Sequence, residues 1–389
     1  MDLDLTFPAV SDLRSKAKKR LPKFAFEYLD SATGRELGAK RNREAWDSIT
    51  FMPQILQGEF SFDLSTRFMG QDFDLPVGIA PIGMSGMIWP GAEKILATTA
   101  ARNRIPYSIS SVAAATPEEI GPHTDGLGWF QLYPPADPEI RRDMLKRIKE
   151  AGFTKLIVTV DVPGESRRER QRRALISMPP KTRPAIIWSM VTHPHWSLAM
   201  AKEGSPRMKF PESYVDASGS DAFVHAGRVL RGWPDWDYLS NLRDEWQGDI
   251  LVKGVMVPED AKRLVSMGID GIWVSNHSAR QFEAAPSTIE QLPLVREAVG
   301  KDIPIVVDSG ISGGLDIMRG LALGADFVFL GRAFHYAVAA LGEQGGDHLV
   351  HILRADLCAN MSQIGAHSLR DLPSRIHHKG VCASNPITS

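Results

Sequence analysis

From about residue 76 onward, short apolar, β-prone runs alternate with longer stretches whose apolar positions recur at helical spacing. Eight runs read as strands: Val77–Ile79, Tyr107–Ser110, Trp129–Gln131, Leu156–Thr159, Ile250–Lys253, Gly271–Val274, Ile305–Val307 and Phe327–Leu330. Between them lie segments such as Glu139 to Glu150, where Ile140, Met144, Leu145 and Ile148 are spaced as on one helical face. Eight strands separated by helices predict parallel βαβ units. Left open, such a sheet is doubly wound; closed, it is a barrel. The number eight favours closure, so the fold class expected is α/β, a (β/α)8 TIM barrel over residues 76–370.

Residues 10–50 read as a helical segment ahead of the barrel, with Pro22 just inside a turn and Phe24, Phe26, Tyr28 and Leu29 after it. The gap from Pro163 to Gly248 is too long for one helix, so residues 164–248 read as an insertion after strand four with elements of its own. Its first half is basic, with Arg167, Arg168, Arg170, Arg172, Arg173, Lys181 and Arg183 against Glu165 and Glu169. Apolar and aromatic residues follow at 186–191 and at Trp196. Residues 374–389 read as a mobile tail, and the 389 residues as a single domain.

Composition narrows the functional classes. The chain is 43% hydrophobic and 23% charged with a formal net charge of −1, a balance that calls for no nucleic-acid partner. Cys358 and Cys382 are the two cysteines, so neither a disulfide framework nor a cysteine-rich metal site is expected, and a reducing cytoplasmic setting is the default. The N-terminus has no unbroken apolar core of a signal peptide, and no run of 18 apolar residues predicts a spanning helix.

In a (β/α)8 barrel the chemistry collects at the C-terminal ends of the strands. Here those ends read Pro81-Ile82-Gly83, Ser110, Gln131-Leu132-Tyr133, Thr159-Val160-Asp161, Lys253, Ser275-Asn276-His277, Asp308-Ser309-Gly310 and Gly331-Arg332. Wet loops account for the Ser and Asp residues, but less well for Gln131, Lys253, His277 and Arg332. Glycines and an arginine after strands seven and eight suit a phosphate, which backbone N–H groups and a guanidinium can hold. His277 with Arg280 suits a carboxylate substrate: a guanidinium grips the acid while the imidazole takes a proton, and Asp161 can orient the ring.

Taken together, these residues resemble the FMN-dependent L-2-hydroxy-acid oxidase/dehydrogenase family over residues 10–370. The likeness rests on Ser275-Asn276-His277-Ser278-Ala279-Arg280-Gln281, Leu21-Pro22-Lys23 leading to Tyr28, Gln131-Leu132-Tyr133, Thr159-Val160-Asp161 and Asp308-Ser309-Gly310. Gly83, Thr192-His193-Pro194-His195-Trp196 and Gly331-Arg332-Ala333 resemble its membrane-associated lactate- and mandelate-oxidising branch. The resemblance implies FMN as cofactor and an L-2-hydroxy acid as substrate. It implies His277 as base paired with Asp161, Arg280, Arg168 and Tyr28 on the carboxylate, and Tyr133 on the substrate. Lys253 would stand by the reduced flavin. Pro81, Ile82, Gly83, Ser110, Gln131, Thr159 and Ser275 would border its ring, Asp308 its ribityl chain, and Gly310, Gly331 and Arg332 its phosphate. A homotetramer, and a quinone or oxygen as electron acceptor, are further implications.

Several positions depart from the family pattern. Ser312 stands where an arginine is usual near the phosphate, Ser278 where the signature has glycine, and Phe282-Glu283 where it has Leu-Asp. Ser31-Ala32-Thr33 replaces a glycine-rich triplet. Gly83 stands where relatives of smaller substrates carry alanine, which implies a substrate larger than glycolate. Two other readings stay open: another FMN- or phosphate-binding barrel enzyme, and a flavin-binding barrel without catalysis. The former gives no reason for His277 beside Arg280 and Arg168, and the latter none for His277 with Asp161. The basic run followed by Ile186-Ile187-Trp188 and Trp196 also implies peripheral contact with the inner face of a membrane.

Overall fold

The computed structural model describes residues 2–176, 183–215, 227, 229–230 and 232–377. A short antiparallel hairpin, β1 (Thr66–Phe68) and β2 (Gln71–Phe73), precedes eight parallel strands. These are β3 (Val77–Ile79), β4 (Tyr107–Ser110), β5 (Gly128–Leu132), β6 (Lys155–Thr159), β7 (Asp249–Val255), β8 (Gly271–Val274), β9 (Ile305–Val307) and β10 (Phe327–Leu330). They pair in chain order and β10 returns to β3, so the sheet is closed, a (β/α)8 barrel. Strands β5, β6 and β7 run slightly past the expected ends, because their flanking residues still find ladder partners, such as Lys155 opposite Asp249. The single irregularity of β7 lies between Lys253 and Val255, where Gly254 takes φ +106°.

The outer helices follow from amphipathic stretches with clear start signals. Pro138–Glu150 begins at Asp137, whose carboxylate accepts from the N–H groups of Glu139 and Ile140, and Pro138 opens the first turn. Its Met144, Leu145 and Ile148 are buried against the barrel. The pattern of barrel crossovers breaks after β6, where helices Glu169–Arg173, Pro184–Val191, Pro194–Glu203 and Lys209–Glu212 intervene before Trp236–Glu245 leads into β7. Lys181 and residues 378–389 of the expected tail lie outside the described residues.

The barrel's interior is divided along its axis. Its N-terminal half is filled by Trp129, Ile157, Leu251, Trp273, Val306, Phe327 and Phe329, and Phe68 and Phe73 of the hairpin plug it from below. Ring centroids lie 5.0 Å apart for Phe68 and Phe327 and 4.4 Å apart for Trp273 and Phe329. The C-terminal mouth, in contrast, is lined largely by polar groups. Three N-terminal helices, Val10–Arg20, Lys23–Asp30 and Leu37–Asp47, wrap up to that mouth. Trp196 of the long segment after β6 packs edge-on to Phe24 at 5.4 Å and donates to the carbonyls of Met87 and Ile88. One indole thus ties that segment both to the N-terminal helices and to the loop after β3.

Gly78 shows how tightly the floor is packed: a Cβ there would stand 2.4 Å from the Phe329 ring. Gly78→Ala is expected to cost ~1–3 kcal/mol by overpacking, read as a lowered urea midpoint. An unchanged midpoint would mean that the aromatic floor yields freely.

Candidate active site

One cavity opens at the C-terminal mouth. Strand ends contribute Pro81, Ile82 and Gly83 after β3, Gln131 and Tyr133 from and after β5, Thr159 of β6 and Lys253 of β7. His277, Ser278 and Arg280 follow β8, Asp308, Ser309 and Gly310 follow β9, and Gly331 and Arg332 follow β10. Tyr28 from helix Lys23–Asp30 and Arg168 from the segment after β6 close the rim. Of the residues singled out in the sequence, Ser110, Asp161 and Ser275 stand one layer behind the lining. Ser110 donates to Gln131 Oε1 at 2.6 Å, and Ser275 Oγ accepts from Lys253 Nζ at 2.6 Å and from the His277 N–H at 3.1 Å. The lining also includes Ala80, Val112, Ile311, Phe329, Leu330 and Ala333, apolar residues that a search for polar strand ends passes over.

His277 and Asp161 form the central pair. Nδ1 of His277 lies 3.1 Å from Asp161 Oδ1, the two residues coming from loops after β8 and β6. Burial pushes the imidazole below its ordinary value, against the pull of Asp161 and with the help of nearby Lys253 and Arg168. Burial acts in the opposite sense on the Asp161 carboxyl. There the adjoining imidazole, by charge and hydrogen bond, and Lys253 outweigh it and hold the group below the usual carboxylate range. At neutral pH the stable pairing is therefore an ionised carboxylate and a neutral imidazole. A carboxylate only accepts, so the ring proton sits on Nδ1 and the Nε2 lone pair is left for chemistry.

Around this pair the charges are compensated or aimed. Lys253 is buried and forms an ion pair with Asp308 at 3.0 Å, besides its bond to Ser275. Arg280 is buried beneath the rim, donates to the Leu29 carbonyl and lies over the Tyr28 ring at 5.4 Å. Burial, then Arg168, push its guanidinium down to about 10, which leaves it charged at neutral pH. Tyr28 OH donates to the Gly83 carbonyl at 2.9 Å, and burial raises the Tyr133 phenol, which stays protonated and able to donate. The structure also sorts the basic run. Arg168 lines the cavity, held by Ser166 and Gln281. Arg170 is taken up by Glu27, Asp30 and Glu36.

The loop that carries His277 is strained. His277, Ser278 and Ala279 all take left-handed backbone, with φ of 55°, 54° and 57°. Each such non-glycine residue costs about 1–2 kcal/mol. Contacts from three sides hold the turn. The Asn276 side chain caps the Ala279 N–H and exchanges bonds with Asn42, Ser278 N–H donates to Ser309 Oγ at 2.9 Å, and Thr33 N–H donates to the Ala279 carbonyl. Backbone strain kept by so many contacts is typical of sites where orientation matters.

The cavity fits the flavin that the sequence implies. Gln131 Nε2 and Thr159 Oγ1 are buried on its wall without a partner, two polar groups suited to the edge of a planar heterocycle. Lys253 is a buried cation on the same wall, a group able to offset negative charge on a reduced ring. Gly310, Gly331 and Arg332 also border the space and could receive a phosphate, and a Cβ at Gly331 would already stand 3.0 Å from Ile82.

Comparison with known proteins agrees with this geometry. The sequence profile of the family described as FMN-dependent dehydrogenase matches residues 17–379. The L-lactate dehydrogenase of Pectobacterium atrosepticum is 36% identical over 369 residues, covering 94% of this chain and 95% of that protein. That of Xanthomonas campestris pv. campestris is 36% identical over 367 residues, covering 94% and 95%. Among solved structures, the monotopic membrane protein (S)-mandelate dehydrogenase superposes with a TM-score of 0.89 at 33% identity, covering 95% of this chain and 98% of that one. A mandelate oxidase gives 0.80 at 27% identity, covering 96% and 98%.

The left-handed turn makes a prediction of its own. Ser278→Gly relieves the strain but adds freedom to the unfolded chain, a net change between zero and ~1 kcal/mol of stabilisation. The branched Ser278→Val is expected to lose at least ~1 kcal/mol. Urea midpoints compare the two, and equal shifts would show that the turn stores no strain at this residue.

Proposed function

The chain belongs to the FMN-dependent dehydrogenase family, and on that premise we propose that it oxidises an L-2-hydroxy acid of the lactate or mandelate class to the 2-keto acid, with His277 as the base. The observation that carries this reading is the Nδ1 bond of His277 to Asp161, which leaves Nε2 unprotonated in a cavity that also holds Arg168 and Arg280. Arg280 and Arg168 grip the substrate carboxylate, with Tyr28 at the rim and the Tyr133 phenol donating beside it. Each charge-assisted bond contributes about 1.5–3 kcal/mol. FMN, when bound, supplies the two-electron acceptor. Of the two hydrogens lost from the carbinol carbon and its hydroxyl, His277 takes one as a proton, and the other would leave with the electron pair to the flavin; Asp161 stabilises the imidazolium that results. Lys253 compensates charge on the far side, and its pairing with Asp308 keeps it fixed there.

The apolar wall of the substrate space is built by Val112. A Cβ at Gly83 would stand 2.4 Å from Val112 Cγ2, so the glycine admits that methyl group to the cavity instead of merely enlarging it. A substituent larger than hydrogen at the 2-carbon packs against this wall, which favours lactate or mandelate over glycolate.

The acceptor reading rests on the segment after β6. No helix among the described residues is long and apolar enough to cross a membrane. Helix Pro184–Val191 instead exposes Trp188 at 69% and Val191 at 64%, and Leu198 on the next helix is 69% exposed. Trp196, expected on the same surface, is 3% exposed and serves packing, and Arg168 and Arg170 are engaged within the fold. The remaining patch, with Arg183 at its base, fits shallow insertion into the inner leaflet and delivery of electrons to a quinone.

Anaerobic mixing with L-lactate or L-mandelate tests the reaction: the yellow protein should bleach. His277→Gln should retain FMN yet lose flavin reduction by ~10²–10⁴-fold. Because burial lowers the imidazole's pKa, the wild-type reduction rate should rise with pH through a step below about 6.5 and stay flat above it until the Arg280 guanidinium loses its charge near 10. Near wild-type reduction in His277→Gln would remove the assignment.

Co-sedimentation with anionic vesicles tests the surface. Binding is expected at low salt, weakened by salt and by Trp188→Ser; equal recovery in the supernatant with and without vesicles would overturn it.

A further inference from the structure

The loop after β9 carries no cation of its own. From Asp308 to Asp316 it reads Asp-Ser-Gly-Ile-Ser-Gly-Gly-Leu-Asp, so its ionised side chains are both acidic. Asp308 is neutralised by Lys253. Asp316 sits in the first turn of the following helix, Gly314–Ala322, where it accepts from the N–H and hydroxyl of Ser312 at 2.8 and 2.9 Å. A phosphate brought to Gly310 would meet this second carboxylate as a like charge unless a cation stood between them.

Arg319, one turn further along the same helix, pairs with Asp316 Oδ1 at 2.7 Å, and a second cation, the one that also touches the loop, arrives from the other end of the chain. Arg43, on helix Leu37–Asp47, donates through Nη1 to the Gly310 carbonyl at 2.8 Å, to Ser312 Oγ at 3.0 Å and to Asp316 Oδ2 at 2.7 Å. Its Nη2 reaches Asp316 Oδ1 at 2.8 Å, and Asp47 steadies the guanidinium from the same helix. Three residues later Trp46 donates to the Ser309 carbonyl at 2.9 Å, and a Cβ at Gly310 would stand 2.7 Å from its ring. The helix therefore templates the loop at two points, by the Trp46 indole at Ser309–Gly310 and by the Arg43 guanidinium at Gly310–Ser312.

We propose that Arg43 is a positioning residue for the flavin phosphate: it bridges Gly310, Ser312 and Asp316, sets the loop for the anion, and shares with Arg319 the neutralising of Asp316, so that Arg332 faces the phosphate without a competing carboxylate. The role that a loop arginine at position 312 would fill is here filled from outside the loop. This inference rests on the reading of the cavity as an FMN site.

The test compares FMN with riboflavin, which lacks the phosphate, by fluorescence quenching on the full-length protein freed of flavin. Arg43→Met is expected to weaken FMN about 10- to 100-fold, the loss of one to two charge-assisted bonds' worth of affinity. Riboflavin affinity should stay within about threefold, and Arg43→Met/Ser312→Arg should recover most of the FMN affinity. Circular dichroism of each flavin-free variant establishes folding. Should Arg43→Met not fold, Arg43→Lys, which keeps the charge but not the three-way bridge, is expected to lower the FMN-to-riboflavin ratio in the same direction. Equal losses for the two flavins, or unchanged FMN affinity in a folded variant, would overturn the proposal. Failure of the unsubstituted protein to bind either flavin would instead remove the FMN reading itself.

Discussion

Everything at the barrel mouth depends on keeping one imidazole neutral among buried cations. His277 is buried beside Lys253 and Arg168; burial above all, and then each of these cations, makes a further positive charge there more costly. Asp161 is the counterweight. It is close enough to stabilise a proton when chemistry delivers one, yet not strong enough to hold it at rest. Removing either side of this balance changes the protonation state that the site starts from. The ion pair of Lys253 with Asp308 and the hydrogen bond from Lys253 to Ser275 keep the nearest cation from drifting toward the imidazole.

The same balance explains the division of the barrel. A dry aromatic floor built on Phe329, Trp273 and Trp129 closes the interior below the mouth. Packed side chains thus separate the charged layer from the N-terminal end, which lowers the screening of the electrostatic effects above it. The hairpin Thr66–Phe73 is the plug that completes this floor. What looks in sequence like an irregular approach to the first strand is therefore part of the electrostatic design.

Strand positions were legible because a continuous apolar run between amphipathic helices admits few alternatives. The polar strand ends were legible because Gln131, Lys253, His277 and Arg332 are poor choices for ordinary loop caps. Other features were hidden for physical reasons. Which arginine of the basic run faces inward depends on backbone twist: Arg168 takes φ 40° and caps a short helix, and that turns it toward Gln281 while Arg170 turns to Asp30. Val112 was invisible because a methyl group against a glycine leaves no polar signal. The left-handed turn at His277–Ala279 was equally hidden, since Ser and Ala do not announce positive φ. Trp196 read as a surface aromatic because its partners, Phe24 and the Met87 carbonyl, are more than a hundred positions away.

The N-terminal helices have a consequence for how the molecule is made. Arg20 donates to the Ala340 carbonyl and Asp30 accepts from Tyr336, contacts that span 320 and 306 residues of chain. Helices Val10–Arg20 and Lys23–Asp30 thus complete their packing only against the helix that follows the last barrel strand. Closing so long a loop is entropically late in folding. Tyr28 and Asn42 belong to the N-terminal helices, so the rim over the substrate space and the support beneath the histidine turn depend on that long closure.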